Sequence, residues 1–148
     1  MTSTPIGAKS VTLVDVNPDN IRYCSEHLRP LGFEIIQNNG FDLNGLASGA
    51  FSHIHCFDAM VHFEVEIIMS YLAEFARVLI SGGTALLHHS NYTDRPGADF
   101  RTNPGWRNFC SAGLMRHMAL RNSFEVIDQK VIAWGLPELD CITLLRRT

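Results

Sequence analysis

The sequence predicts an α/β domain built on an open, mostly parallel sheet with an antiparallel end. Strand-like apolar runs alternate with helical segments from Val11 onward, and Val65 to Leu79 places its apolar residues at helical spacing. Near the end, two strand-like runs are separated only by Gly135-Leu136-Pro137-Glu138, too short for anything but a hairpin. A single domain over residues 1–148 is expected, since 46% hydrophobic and 18% charged residues suit one ordinary core.

Val11-Thr12-Leu13-Val14 is a short β-branched run ending in Asp15, the pattern of a parallel strand covered on both faces. Asn17-Pro18-Asp19 then starts a helix, with a capping side chain, a proline for the first turn and an early acid favoured by the dipole. Arg29-Pro30-Leu31-Gly32 stops that helix, and Phe33 to Ile36 reads as the second strand. Asn38-Asn39-Gly40 marks a turn, Phe41 to Ala50 has loop composition, and Phe51 to Phe57 reads as the third strand. The Val65–Leu79 helix is expected to end at Ser81-Gly82-Gly83, before a fourth strand from Thr84 through Leu87 into His88-His89-Ser90. Asn91 to Gly105 is polar and rich in turn formers, a long loop of the kind that covers a site. Trp106 to Leu120 reads as a helix, and Phe124–Trp134 and Leu139–Leu145 form the closing hairpin.

Charge and composition exclude several classes of partner. A formal charge of -3 and a pI near 6.1 give no attraction to phosphate backbones, so no nucleic acid is expected. No segment reaches the roughly 18 apolar residues a membrane span requires, and the first ten residues hold no signal-like apolar stretch. Cys24, Cys56, Cys110 and Cys141 lie far apart in or beside apolar runs, which suits buried thiols in a cytoplasmic protein.

The carboxyl ends of parallel strands are where open α/β sheets bind ligands. Asp15 stands at such an end, and its carboxylate can accept two ribose hydroxyls or serve as a helix cap in competition with Asn17. Asn39-Gly40-Phe41 combines a close backbone with an aromatic able to cover a purine ring, or is a plain turn beside a core Phe41. Phe57 and Asp58 end the third strand, as site residues or as strand-end packing and a cap. His62 can take a proton from an acceptor hydroxyl, or simply begin a helix. His53, His55, His62, His88 and His89 could be imagined as a metal cluster, but no HExxH, CxxC or carboxylate at ligand spacing accompanies them, so no metal is expected. Trp106, Met115 and Met118 read either as an acceptor pocket or as core.

The order of motifs resembles class I S-adenosylmethionine-dependent methyltransferases. Val11 to Pro18 is similar to the family's second strand with its terminal acid, Phe57-Asp58-Ala59-Met60-Val61-His62-Phe63 to the loop after the fourth, and Ala76 to Gly83 to the R-V-L-x-x-G-G turn before the fifth. Val131–Gly135 and Leu139–Arg147 resemble the last hairpin. The resemblance implies a Rossmann-like methyltransferase sheet, S-adenosylmethionine as cofactor, and a small-molecule methyl acceptor. It implies the ribose at Asp15 and adjoining Val16, adenine at Asn39, Gly40 and Phe41, and the methionine and acceptor region at Phe57 and Asp58, with His62 as the catalytic candidate.

The family's first strand and G-x-G-x-G turn should precede Asp15 by about twenty residues, where this sequence offers Gly7 alone. The first strand is therefore expected to be missing from an amino-terminally truncated domain, leaving a gap between the Val11–Val14 and Phe51–Phe57 strands and weak affinity for the cofactor. Direct pairing of those strands, an inserted Thr2–Ala8 segment or a second copy could close the gap, and the exposed edges favour a homodimer. A noncatalytic methyltransferase-like module is the alternative expectation.

Overall fold

The β-branched run is strand β1 (Thr12–Asp15), and it pairs in parallel with β2 (Glu34–Gln37) from Thr12 opposite Glu34 to Asp15 opposite Gln37. The computed structural model describes residues 7–148; residues 1–6, most of the Thr2–Ala8 segment, lie outside them. Helix α1 (Pro18–Leu28) joins the two strands and starts as its sequence dictates. The Asn17 side chain accepts from the Asp19 N–H at 2.8 Å, with Pro18 in the first turn. After Leu28 a short 3-10 turn carries Pro30, and Gly32 takes a left-handed φ of +89°. These elements belong to a first compact unit that ends at Asn44, with Ile35 and Leu43 as its buried apolar residues.

The second unit spans Gly45–Thr148. It contains β3 (Phe51–Cys56), α2 (Val65–Val78), β4 (Leu79–Ser90), α3 (Ala112–Arg121), β5 (Phe124–Ile132) and β6 (Asp140–Arg147). The strands lie in the order β3-β4-β6-β5, with β3 and β4 parallel and β6 antiparallel to both of its neighbours. The expected terminal hairpin is β5 with β6. The apolar stripe of α2 supplies Ile68, Leu72, Phe75 and Val78 to the core, which also buries Leu87 of β4, Met115 and Met118 of α3, and Leu145 of β6. Met115 and Met118 are thus core residues, whereas Trp106 is 60% exposed.

Three expectations are corrected. Direct pairing of the two strands that flank the missing one does not occur: the described strands form two separately hydrogen-bonded sheets, in which β1 gives its ladder to β2 and β3 pairs with β4. The helix expected from Trp106 begins only at Ala112, capped by Ser111, whose hydroxyl accepts from the Leu114 N–H at 3.1 Å. The preceding residues are drawn inward instead: Arg107 and Asn108 are buried, and the Asn108 N–H donates to the Val61 carbonyl.

The third correction explains the R-V-L-x-x-G-G run. Helix α2 stops at Val78 and β4 begins at once with Leu79, but the register then slips. Phe51 faces Leu79 and His53 faces Thr84, so two steps along β3 span five along β4. Gly82 takes φ +76° in the bulge, and a Cβ on Gly83 would lie 2.9 Å from the Ile80 carbonyl oxygen and 3.3 Å from that of Ser52. Arg77 anchors the end of the helix by a fork on Glu74 at 2.7 and 2.8 Å and a 2.7 Å bond to the Leu46 carbonyl. Val78 and Leu79 are buried, so each fixed letter of the motif has a local task.

On β4, His89 is fully buried between the Ser90 carbonyl at 2.8 Å and the Thr143 hydroxyl at 2.8 Å. The carbonyl can only accept, so Nδ1 carries the proton and Nε2 receives the hydroxyl. Burial holds its pKa down to about 4.

Two outcomes are expected. Gly83→Ala should lose about 1–3 kcal/mol in urea denaturation, because backbone oxygens are what its methyl meets. Gly113→Ala, whose nearest contact is a hydroxyl at 3.9 Å, should cost nothing, and equal losses would remove the bulge argument. For His89, the unfolded chain takes up a proton near pH 6.5 and the folded one only near 4. Stability is full above 6.5 and falls as the pH drops towards 4, by about 3 kcal/mol from this group. His89→Gln should flatten that part of the stability profile.

Candidate functional site

In the first unit the predicted residues gather at the carboxyl ends of β1 and β2. Asp15 is the last residue of β1, half-buried, and it serves the start of α1. Oδ1 accepts from the Asn17 N–H at 2.8 Å and Oδ2 from the Asn20 amide at 2.9 Å. Asn17 is nevertheless the true cap, so Asp15 braces the turn from two residues further out. Each carboxylate oxygen has two acceptor sites, and each uses one here.

Val16 is 53% exposed, and its carbonyl accepts from the Gln37 amide at 3.1 Å. Asn39 folds the following loop on itself: its Oδ1 accepts from the Phe41 and Asp42 N–H groups at 2.9 and 3.1 Å, and its Nδ2 donates to Asp42 at 2.8 Å. Gly40 sits at φ +83° close enough to Val16 that an added Cβ would touch it at 3.5 Å. Phe41, 56% exposed, is not a core residue. Asp15, Val16, Asn39, Gly40 and Phe41 therefore form one contiguous shelf.

In the second unit the carboxyl ends of β3 and β4 carry the rest. Asp58 follows β3 in a left-handed conformation, φ +54°, which is costly for a residue with a Cβ. Its N–H donates to His88 Nδ1 at 3.2 Å. His88 Nε2 lies 2.9 Å from Asp140 Oδ2, and Arg107 grips the same carboxylate with Nε at 2.9 Å and Nη2 at 2.6 Å. Since Nδ1 accepts, Nε2 carries the proton and donates to the carboxylate. His88 and Asp140 are fully buried and Arg107 is 5% exposed.

This chain of contacts is charge-balanced, with one guanidinium, one carboxylate and a neutral imidazole. The hydrogen bonds it donates to Asp140 hold Arg107 above its ordinary pKa against the opposing pull of burial. Arg107 also donates to the Gly105 carbonyl at 2.7 Å and lies 3.7 Å from Asp58 Oδ1, whose side chain is 53% exposed. Phe57 covers His88 at a 4.5 Å ring separation and meets Trp134 edge-on at 5.6 Å.

His62 ends a short 3-10 turn at Met60–His62. Its Nδ1 lies 2.7 Å from the Trp106 carbonyl, so Nδ1 holds the proton and Nε2 keeps a lone pair. The other histidines have separate tasks: His53 bonds Thr84, its pKa lowered by burial and then by His55, while His88 and His89 bond Asp140 and Thr143.

The long loop is tied at both ends. Asn91 bonds the Glu138 carbonyl and the Ala112 N–H, each at 2.9 Å, and Arg107 holds the far end, while residues 93–97 are exposed. A cleft of about 370 Å³ opens beside it, lined by Tyr92, Thr93, Asp94, Pro104, Leu136 and Glu138 among others.

Arg107 and Asp140 were not foreseen as site residues. The signal for Asp140 was an acid inside the apolar run Leu139 to Leu145, which demands a buried partner. Its partner is 33 residues away, in a segment that reads as helix.

The sequence profile of a methyltransferase domain family matches residues 3–87, more than half of the chain. No curated protein matches it significantly. Among solved structures, a protein from Pyrococcus horikoshii OT3 superposes with a TM-score of 0.69 at 18% identity, over 94% of this chain and 72% of that one. A geranyl diphosphate methyltransferase solved in complex with S-adenosylmethionine gives 0.72 at 12% identity, over 94% and 69%. The [4+2]-cyclase SpnF gives 0.72 at 12% identity, over 93% and 66%, so this fold also houses other chemistry.

Removing one member of the buried pair should be severe. Arg107→Met, which keeps bulk but strands the Asp140 carboxylate, is expected to lose about 3–5 kcal/mol in urea denaturation. A loss below about 1 kcal/mol, typical of an exposed pair, would show that water reaches Asp140.

Proposed function

The chain belongs to the methyltransferase domain family, and from that premise we propose that it transfers a methyl group from S-adenosylmethionine to a small-molecule acceptor. The observation that carries the reading is Asp15, a half-buried acid at the carboxyl end of a parallel strand with acceptor capacity to spare on both oxygens.

The residues present fit the cofactor. Asp15 would take the two ribose hydroxyls, one on each oxygen, while Asn17 and Asn20 keep the carboxylate from rotating. The exposed ring of Phe41 offers a face to adenine, and the Asn39 turn that presents it is held by its own side chain. When bound, the cofactor supplies an electrophilic methyl group on a sulfonium. In the second unit, Phe57 and Asp58 would line the reacting end. His62, with Nδ1–H fixed on the Trp106 carbonyl, has Nε2 free to receive the proton of an acceptor hydroxyl. The remaining work is alignment, which needs little side-chain chemistry.

The reading extends to a cytoplasmic homodimer. It draws on the four free cysteines for the compartment and, for the dimer, on β1 and β3, each paired on one side only among the described strands.

Calorimetric titration with S-adenosylmethionine tests the proposal. Asp15→Ala should lose about 1.5–3 kcal/mol of binding free energy, the range for hydrogen bonds to a charged group. Affinity unchanged in the variant would take Asp15 out of the site, and with it the main support for the reading.

A further inference from the structure

We propose that His88 is a positioning residue for the reaction: through Nδ1 it fixes the backbone of Asp58, and so sets the Phe57–Asp58 turn. The proposal rests on the reading above that this turn lines the reacting end.

The turn holds a conformation that gains from support by its surroundings. Asp58 sits at φ +54°, a left-handed region that residues with a Cβ, Asp less than most, adopt at a cost unless their surroundings hold them there. The restraint is the imidazole behind it, which accepts the Asp58 N–H at 3.2 Å and packs its ring 4.5 Å from that of Phe57. One side chain therefore governs both residues of the turn.

His88 can do this in only one protonation form and one tautomer. A proton on Nδ1 would set a donor against the Asp58 N–H, so the proton must sit on Nε2. Asp140 secures that arrangement by accepting from Nε2 at 2.9 Å, and Arg107 keeps Asp140 oriented through two bonds. The titratable and charged groups around His88 are thus Asp140, Arg107 through Asp140, and the neighbouring His89, with Asp58 reached through its backbone. Because Arg107 belongs to the end of the long loop and also lies 3.7 Å from the Asp58 carboxylate, the same guanidinium ties the loop to the turn.

Two substitutions separate the two bonds of the ring. In His88→Asn the amide oxygen can occupy the Nδ1 position and keep the Asp58 bond while abandoning Asp140. In His88→Gln the longer amide can keep Asp140 and leave the Asp58 N–H unpaired. Both remove the ring, so a role in packing alone would affect them equally.

The full chain is used throughout. Amide hydrogen exchange at Asp58 should accelerate about tenfold or more in His88→Gln and stay within about threefold of the parent in His88→Asn. Titration with S-adenosylhomocysteine should follow the same order, with affinity about tenfold weaker in the Gln variant and little changed in the Asn variant. Equal effects of the two variants on exchange, or none, would overturn the proposal. If the parent binds no adenosyl ligand, the functional reading fails, while exchange at Asp58 still judges the role of His88. Should either variant fail to fold, long-range proton–nitrogen NMR on the parent decides: an Nε2–H pattern for His88 is expected, and an Nδ1–H pattern would refute the assignment.

Discussion

The end of the second unit depends on a single buried carboxylate. Asp140 has no contact with water, and its two oxygens receive three hydrogen bonds, two from Arg107 and one from His88. Burying a lone carboxylate would be prohibitive, so the fold must bring a cation to it, and the cation comes from the segment before α3. That demand keeps residues 107 and 108 out of the helix their sequence suggests. By way of the imidazole it reaches across β4 to the turn that follows β3. Replacing such a pair with apolar residues is often neutral for stability, so its value lies in fixing one arrangement of three strand ends.

Local patterns were legible wherever the physics is local. The cap at Asn17, the proline turn at Pro30 and the hairpin at Gly135–Glu138 are short-range devices, and each appears where the residues place it. The α2 stripe shows itself through spacing alone. The bulge of β4 was not legible, because Ser81-Gly82-Gly83 reads as a helix stop whether the chain turns there or merely swells within a strand. What decides is contact with Ser52 on the neighbouring strand, which no window of sequence contains.

The candidate residues divide in the same way. Asp15 could be picked out because a strand end and an acid coincide; it supports the start of α1 and leaves one acceptor position on each oxygen unused. Phe41 was ambiguous between core and surface until its exposure was known. The histidines looked alike in sequence, yet they differ in which ring nitrogen is committed: Nδ1 of His62 donates to a carbonyl, whereas Nδ1 of His88 accepts from an amide. Such distinctions arise from partners 30 and 44 residues away, beyond any motif.

The long loop is fastened at Asn91 and at Arg107 and exposed between, from residue 93 to 97. Its anchors do not depend on what lies between them, and lengthening an already open loop adds little closure entropy. The middle can therefore gain, lose or exchange residues while the strand ends stay as they are. In an evolving lineage this is where new surface chemistry is tried without risking the fold. For the engineer it is the first place to diversify.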